Sequence, residues 1–245
     1  MKPIELPILG SDPTAPFPPH ALALEDPNGL LAIGGDLHPD RLLNAYRNGI
    51  FPWYSAGRPI MWWSPDPRAV FHTSDVHLSR SSRRALRLSG WRLTADTAFK
   101  DVVDTCARIP RRGQHGTWIT PALRSSFQAL HRLGHAHSIE IHQDDHRVGG
   151  LYGLAIGRAF FAESMYSAET GGSKAALAGL ASVLREWGWP LIDAQVENNH
   201  LLSLGARRMP RTEFLSHIGT LCLQDDPPGS WRDRIGDRPI ADLID

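Results

Sequence analysis

The sequence predicts an α+β fold, a small N-terminal domain followed by a larger one on a mixed, mainly antiparallel sheet. Strand-like stretches follow one another at "HSIEIH", "RVGGLYGLAIG" and "AFFAES", joined by short turns bearing Asp, His or Gly. A strong helical period, "SKAALAGLASVLREWG", then comes before another apolar strand, "PLIDAQV". Runs of strands with helices set apart mark α+β architecture. A proline-rich stretch up to Pro67 sets residues 1–67 apart from 68–245.

The first twenty residues are proline-rich and extended. Pro39 takes the first position of a helix running to about Asn48, with Leu42, Leu43 and Tyr46 inward and Gly49 as its stop. "IFPWYSAGRPIMWWSPDPR" carries too much proline for a regular element. "AVFHT" reads as a strand. Ser79 caps a helix through Leu88, and Asp96 caps another through Arg108, with Phe99, Val102 and Val103 on one face. Thr120-Pro121 opens a helix carrying Leu123, Phe127 and Leu130, closed by Gly134. After the strands and the long helix come a short helix at "NHLLSLGA" and a last one at "RTEFLSHI". The tail from Gln224, charged and broken by Pro and Gly, is expected to pack loosely.

With 42% hydrophobic and 21% charged residues, the composition is that of a soluble globular protein. A net charge of zero argues against a whole-surface nucleic-acid binder but permits a local basic patch. The basic residues are nearly all arginine, the better partner for phosphates and stacked bases. No apolar h-region opens the chain and no run approaches the ~20 residues of a membrane span. Cys106 and Cys222 lie far apart outside any CxxC, and the twelve histidines are scattered, so neither a disulfide framework nor a metal site is expected. These features suggest a reduced, cytoplasmic protein.

Four features could carry chemistry. "ETGGSKAAL" sits between a strand and a helix, but a Walker A loop needs GxxxxGK[ST] and here the order is Ser-Lys. The glycine-rich loop that would cradle a CoA pyrophosphate at a helix start is missing too. Leu177, Leu180 and Leu184 form one stripe, with Leu151, Met165 and Ile192 on nearby strands. Core packing is the first reading of that spacing, and a pocket for an apolar side chain is the functional alternative. Arg80, Arg83, Arg84 and Arg87 line one helix face, either a solvated surface or a phosphate-binding stripe. Trp53 lies in the proline-rich segment and Trp118 in the loop "GTWIT"; each is a core plug or a platform for an unpaired base. In "LIDAQVENNH", Asp193 and Gln195 alternate onto one face of a strand, about 7 Å apart. They form either a reacting pair or a buried pair at a sheet edge.

The motifs "PNGLLAIGGDL", "YRNGIFPWY", "PIMWWSPDPRAV", "GTWIT", "LGHAHSIE", "VGGLYGLAIG", "ESMYS", "SKAAL", "LIDAQV" and "LGARRMPR" resemble, in order and spacing, the leucyl/phenylalanyl-tRNA protein transferases. The match covers about residues 15–220. The resemblance implies a monomeric bacterial cytoplasmic enzyme of the N-end rule, with a GNAT-like acyltransferase domain that uses neither CoA nor any other cofactor. Its substrates would be Leu-tRNA or Phe-tRNA and proteins with N-terminal Arg or Lys, marked for degradation by the transfer. By motif, Trp53 and Trp118 would sandwich the terminal adenosine. Leu151, Met165, Leu177, Leu180, Leu184 and Ile192 would hold the aminoacyl side chain. Asp193 and Gln195 would be the catalytic pair, Glu163 and Asn198 would flank the acceptor peptide, and Arg80, Arg83, Arg84 and Arg87 would meet tRNA phosphates. The sequence departs from the family at Phe127, where Tyr is common, at Ala162 for Gly, at His142 for Trp and at Ala194 for Cys.

Aminolysis of an ester needs a neutral amine, a held carbonyl and an exit for one proton. A glutamine amide is too weak a base to act alone. Gln195 therefore reads as orienting the amine, with Asp193 fixing Gln195 and favouring developing positive charge. A proton relay through the pair and help from the tRNA 2′-hydroxyl are alternatives. Two rivals stand beside this reading: a CoA-dependent N-acetyltransferase, and a tRNA-binding module without catalysis.

Overall fold

Short apolar runs pair first into a small sheet at the N-terminal end of the computed structural model, which describes residues 6–109, 117–226 and 228–244. The chain passes through β1 (Ile8–Leu9), β2 (Leu30–Gly34), α1 (Pro39–Arg47), β3 (Phe51–Pro52) and β4 (Met61–Trp63). Its strands lie in the order β1–β2–β4–β3. β3 and β4 fall in the stretch expected to be irregular. Pro52 is tolerated because β3 is an edge strand, where a missing N–H breaks no ladder. α1 forms as expected, with Pro39 at its start and Leu42, Leu43 and Tyr46 buried.

The chain continues through β5 (Arg68–His72), α2 (Arg80–Arg87), β6 (Arg92–Ala95), α3 (Phe99–Arg108), α4 (Pro121–Arg132), β7 (Ala136–Gln143), β8 (His146–Ile156) and β9 (Ala159–Ser167). Then come α5 (Gly172–Glu186), β10 (Leu191–Gln195), α6 (Asn199–Ser203), β11 (Arg207–Met209), α7 (Arg211–Leu221), α8 (Arg232–Ile235) and β12 (Arg238–Pro239). The larger sheet has the order β11–β5–β10–β9–β8–β7–β6–β12. Its neighbours are antiparallel except β9 and β10, which α5 joins as a crossover. The α+β class and the mixed, mainly antiparallel sheet are as expected.

Alternation along the strands sends side chains into two layers. Val70, Tyr152, Phe161 and Leu191 pack with α1, α3, α4, α7 and the small sheet. Phe71, Leu151, Phe160 and Ile192 pack with α5 and the C-terminal tail. The first of these clusters runs without a break from Leu31 and Trp62 of the small sheet to Phe214 of α7. Cys106 is buried in it, as its helical spacing indicated.

Two local expectations need correction. Asp96 does not cap α3. Its backbone is left-handed (φ 55°), and its carboxylate accepts the Ser138 and Trp231 N–H groups and pairs with His137 Nδ1 at 2.9 Å. The start of α3 is met instead from β7, where buried Glu140 accepts from Thr97 Oγ1 at 2.7 Å and from the Ala98 N–H at 3.4 Å. Nor is the tail loose. Trp231, Ile235, Ile240 and Leu243 are buried, Trp231 stacks on His137 at 4.0 Å, and β12 pairs with β6. Charge and Pro/Gly content obscured four apolar anchors spaced along it.

Candidate active site

The parallel pair β9–β10 holds register only as far as Asp193 opposite Phe161. Beyond that point the two strands separate, and both carry bulges there. On β9, Tyr152 pairs with Ser164 and Gly153 with Ala162, leaving Glu163 as the extra residue. On β10, Val70 pairs with Asp193 and Ala69 with Gln195, leaving Ala194 extra and Gln195 left-handed at φ 63°. Bulges bend strands and redirect side chains. The β9 bulge puts Met165 in the α5 layer while Tyr166 returns to the opposite one. A cavity of about 430 Å³ opens through the split, with walls drawn from both layers.

Three polar side chains interlock at its floor. Glu163 is 8% exposed, and its Oε1 accepts from Tyr46 Oη at 2.5 Å and from Gln195 Nε2 at 2.7 Å. Burial pushes the Glu163 carboxyl up to about 8, against the opposing pull of those two donors. Tyr46 is raised well above its ordinary range by burial and by Glu163. Asp193, 1% exposed, receives Arg68 as a fork, Nε to Oδ1 at 2.8 Å and Nη2 to Oδ2 at 2.7 Å. Arg68 also donates to the Gly49 carbonyl and lies between the Phe51 and Phe214 rings at 4.7 and 4.6 Å. Asp193 therefore holds Gln195 through the backbone, its Oδ1 accepting the Gln195 N–H at 2.9 Å. The expected same-face pairing of the two side chains is replaced by this bulge geometry.

The structure brings most of the other candidates to the same cavity. Trp53, 38% exposed, and Trp118 both line it, and Trp63 Nε1 ties the Trp53 carbonyl at 2.7 Å. Leu151, Met165 and Leu177 line its apolar side, joined by Phe71 and Leu201, which sequence reasoning missed. Leu180, Leu184 and Ile192 do not line it; they are fully buried behind it. A helix rises about 1.5 Å per residue, so Leu184 lies roughly 10 Å along α5 from Leu177. Ile192 precedes the split, inside the paired sheet. Asn198 lines the cavity while capping α6 through Leu201 N–H. Ala162 and Ala194 line it too, whereas Phe127 packs edge-on to Tyr152 and His142 bonds Thr94 Oγ1.

Arg80, Arg84 and Arg87 are exposed on α2 and Arg83 half-buried, and none meets a carboxylate among the described residues. Arg87 donates to the Ile244 carbonyl at 3.3 Å. No group of three potential metal ligands occurs among the described residues. The start of α5 does not fit a CoA pyrophosphate. The Ser173 N–H is taken by Ser167 Oγ at 2.8 Å and the Gly172 N–H by the Glu169 carbonyl. Gly149 presses so close that a Cβ on it would meet the Gly172 carbonyl carbon at 2.4 Å. The Gly172 and Ser173 amides, which a phosphate at this helix start would need, are already committed. What remains is an apolar pocket beside an exposed tryptophan and an amide whose Nε2 is anchored, leaving its Oε1 to accept.

The family model of leucyl/phenylalanyl-tRNA protein transferase matches residues 70–219, and that of its N-terminal domain residues 35–66. A leucyl/phenylalanyl-tRNA protein transferase of Xanthomonas euvesicatoria pv. vesicatoria (strain 85-10) is 58% identical over 100% of this chain and 98% of its own length. That of Xylella fastidiosa (strain M23) is 55% identical over 97% and 98%. Among solved structures, L-PGS from Bacillus licheniformis matches at 14% identity and a TM-score of 0.38, covering 70% of this chain and 57% of that one. A GCN5-related N-acetyltransferase from Kribbella flavida matches at 10% and 0.30, covering 66% and 57%. Both structural likenesses are too slight to bear on the chemistry.

Proposed function

From a chain that belongs to the leucyl/phenylalanyl-tRNA protein transferase family, we infer an enzyme that moves Leu or Phe from aminoacyl-tRNA to the N-terminal Arg or Lys of a protein, marking it for degradation. The observation that carries the mechanism is the Tyr46–Glu163–Gln195 chain at the cavity floor. With Nε2 held by Glu163, Gln195 offers Oε1 to an N–H of the incoming amine and aims its lone pair at the ester carbonyl. The α-ammonium of an acceptor has a pKa of ~8, close to that of Glu163, so proton transfer between them is nearly even in energy. Glu163 therefore takes the proton released as the C–N bond forms and gives it to the ribose oxygen of the tRNA as the ester C–O bond breaks. Asp193 acts as a positioning residue, since Arg68 already neutralises its charge.

Leu151, Met165 and Leu177 with Phe71 form the side-chain pocket, and Trp53 and Trp118 clamp the terminal adenosine. Asn198 stands at the acceptor side. The reading keeps the division at residue 67, supported by β4 ending at Trp63 and β5 starting at Arg68. It takes the enzyme as a cytoplasmic monomer; no described helix is long and apolar enough to cross a membrane. The test is transfer of labelled Leu from Leu-tRNA to a peptide beginning with Arg. Acetyl transfer from acetyl-CoA to that peptide, or tRNA binding without product, would replace this reading.

The arginine face of α2 adds a separate expectation. Changing Arg83 and Arg84 to Ala weakens aminoacyl-tRNA binding and makes log K against log salt shallower by about 2, one counterion per lost phosphate contact. A minimal aminoacyl-adenosine donor lacks those phosphates and keeps its KM. Equal losses with both donors would remove α2 from the tRNA site.

A further inference from the structure

A second carboxylate faces the cavity, two residues beyond Gln195. Glu197 lines its rim and is occupied by Arg208, whose Nη2 donates to Oε1 at 2.7 Å and whose Nε donates to Oε2. Both partners are partly in water, Arg208 with 63% of its side chain exposed and Glu197 with 35%. Arg208 on β11 and Gln195 on β10 both stand opposite Ala69, on the two sides of β5. So wet an ion pair contributes little to holding the fold together. Its geometry is nonetheless the bidentate one by which a carboxylate recognises a guanidinium.

We propose that Glu197 is the carboxylate that selects the cationic side chain of the acceptor's first residue, and that Arg208 is an internal competitor for it. The assignment rests on the reading of the acceptor as a protein with N-terminal Arg or Lys. Two residues of chain span at most about 7 Å, so Glu197 lies within that reach of Gln195. An arginine or lysine side chain spans about that length between its Cα and its charge. An amine held at Gln195 therefore lets the charge of the same residue reach Glu197, and short or neutral side chains leave the carboxylate to Arg208. Glu163, the other carboxylate lining the cavity, serves the amine itself, its Oε1 held in the floor by Tyr46 and Gln195.

The two partners of the pair must then act in opposite directions, which a merely structural pair cannot do. The measurement is kcat/KM and KM with an aminoacyl-adenosine donor and peptides beginning with Arg, Lys or citrulline, the neutral isostere of Arg. Glu197→Gln raises KM for the Arg-peptide about tenfold, the scale of one charge-assisted contact, and erases the preference for Arg over citrulline. Arg208→Ala lowers KM for the Arg-peptide roughly threefold by removing the competitor. A shift of KM in the same direction in both variants, or an Arg-to-citrulline ratio untouched by Glu197→Gln, overturns the assignment while leaving the transferase intact. Failure of the unaltered enzyme to use any of the three peptides overturns the function itself, and this assignment with it.

Discussion

Glu163→Gln is expected to lower kcat by about a hundredfold, the usual contribution of a general base, while keeping the hydrogen bonds of the cavity floor. The amide oxygen can accept from Tyr46 and Gln195 as Oε1 does, so the loss reports the proton and not the architecture. The pH profile separates the two further. Below about 8 the unaltered enzyme must deprotonate both the acceptor amine and Glu163, so log kcat/KM rises with a slope of two; in the variant it rises with a slope of one. A variant with full kcat and an unchanged slope would reduce Glu163 to an anchor for Gln195. Stability offers a second reading with a defined sign. The folded protein binds the Glu163 proton up to about 8, whereas an unfolded chain releases it near the ordinary 4.5. The carboxyl's contribution is thus complete below 4.5 and is lost as pH rises toward 8. In Glu163→Gln that decline is absent.

Arg68→Met is expected to cost about 3–5 kcal/mol of folding stability, because it leaves the Asp193 carboxylate charged, buried and unpaired. For a chain of this size that is a fall in Tm of roughly 10 °C. Arg68→Lys recovers only part of it, since a point charge cannot serve both carboxylate oxygens and the Gly49 carbonyl as the guanidinium fork does. Replacing both partners, Arg68→Met with Asp193→Leu, removes the orphaned charge and is expected to be less damaging than Arg68→Met alone. Thermal denaturation of the set decides the matter. A double variant no better than the single would show that the ring contacts of Arg68 with Phe51 and Phe214, and not its charge, hold this junction.

Periodicity carried the regular parts of the fold, and the site lies where periodicity breaks. α1, α3, α4, α5 and the β7–β9 hairpins are long enough for their apolar spacing to declare them, while α2 was declared by its Ser79 cap and the spacing of its arginines. β3 and β4 are two and three residues long and sit among prolines, so propensity had nothing to average over. Trp53, Trp118, Leu177 and Gln195 were legible as candidates, and the structure gathers them in one cavity. Glu163 was a candidate by resemblance, but the bulges that make it and Ala194 extra residues were not legible, because a bulge is a relation between two strands and leaves no mark in either alone. The same holds for Arg68. In sequence it is one arginine before an apolar strand; its role exists only once β5 and β10 are neighbours. Of the leucine stripe of α5 only Leu177 lines the cavity, because a helix face longer than a pocket continues into the core.

The packed tail bears on how molecules of this protein behave toward one another. Without β12, strand β6 would end the larger sheet with an open row of donors and acceptors, a template on which a second chain could pair. β12 occupies that row, and it ends in Pro239, which has no N–H to extend the ladder outward. Trp231, seated against His137, Trp187 and Trp189, keeps the tail from peeling away. The tail thereby closes this edge of the sheet, and a chain clipped ahead of Trp231 is expected to aggregate more readily in concentrated solution, which light scattering against the intact chain checks.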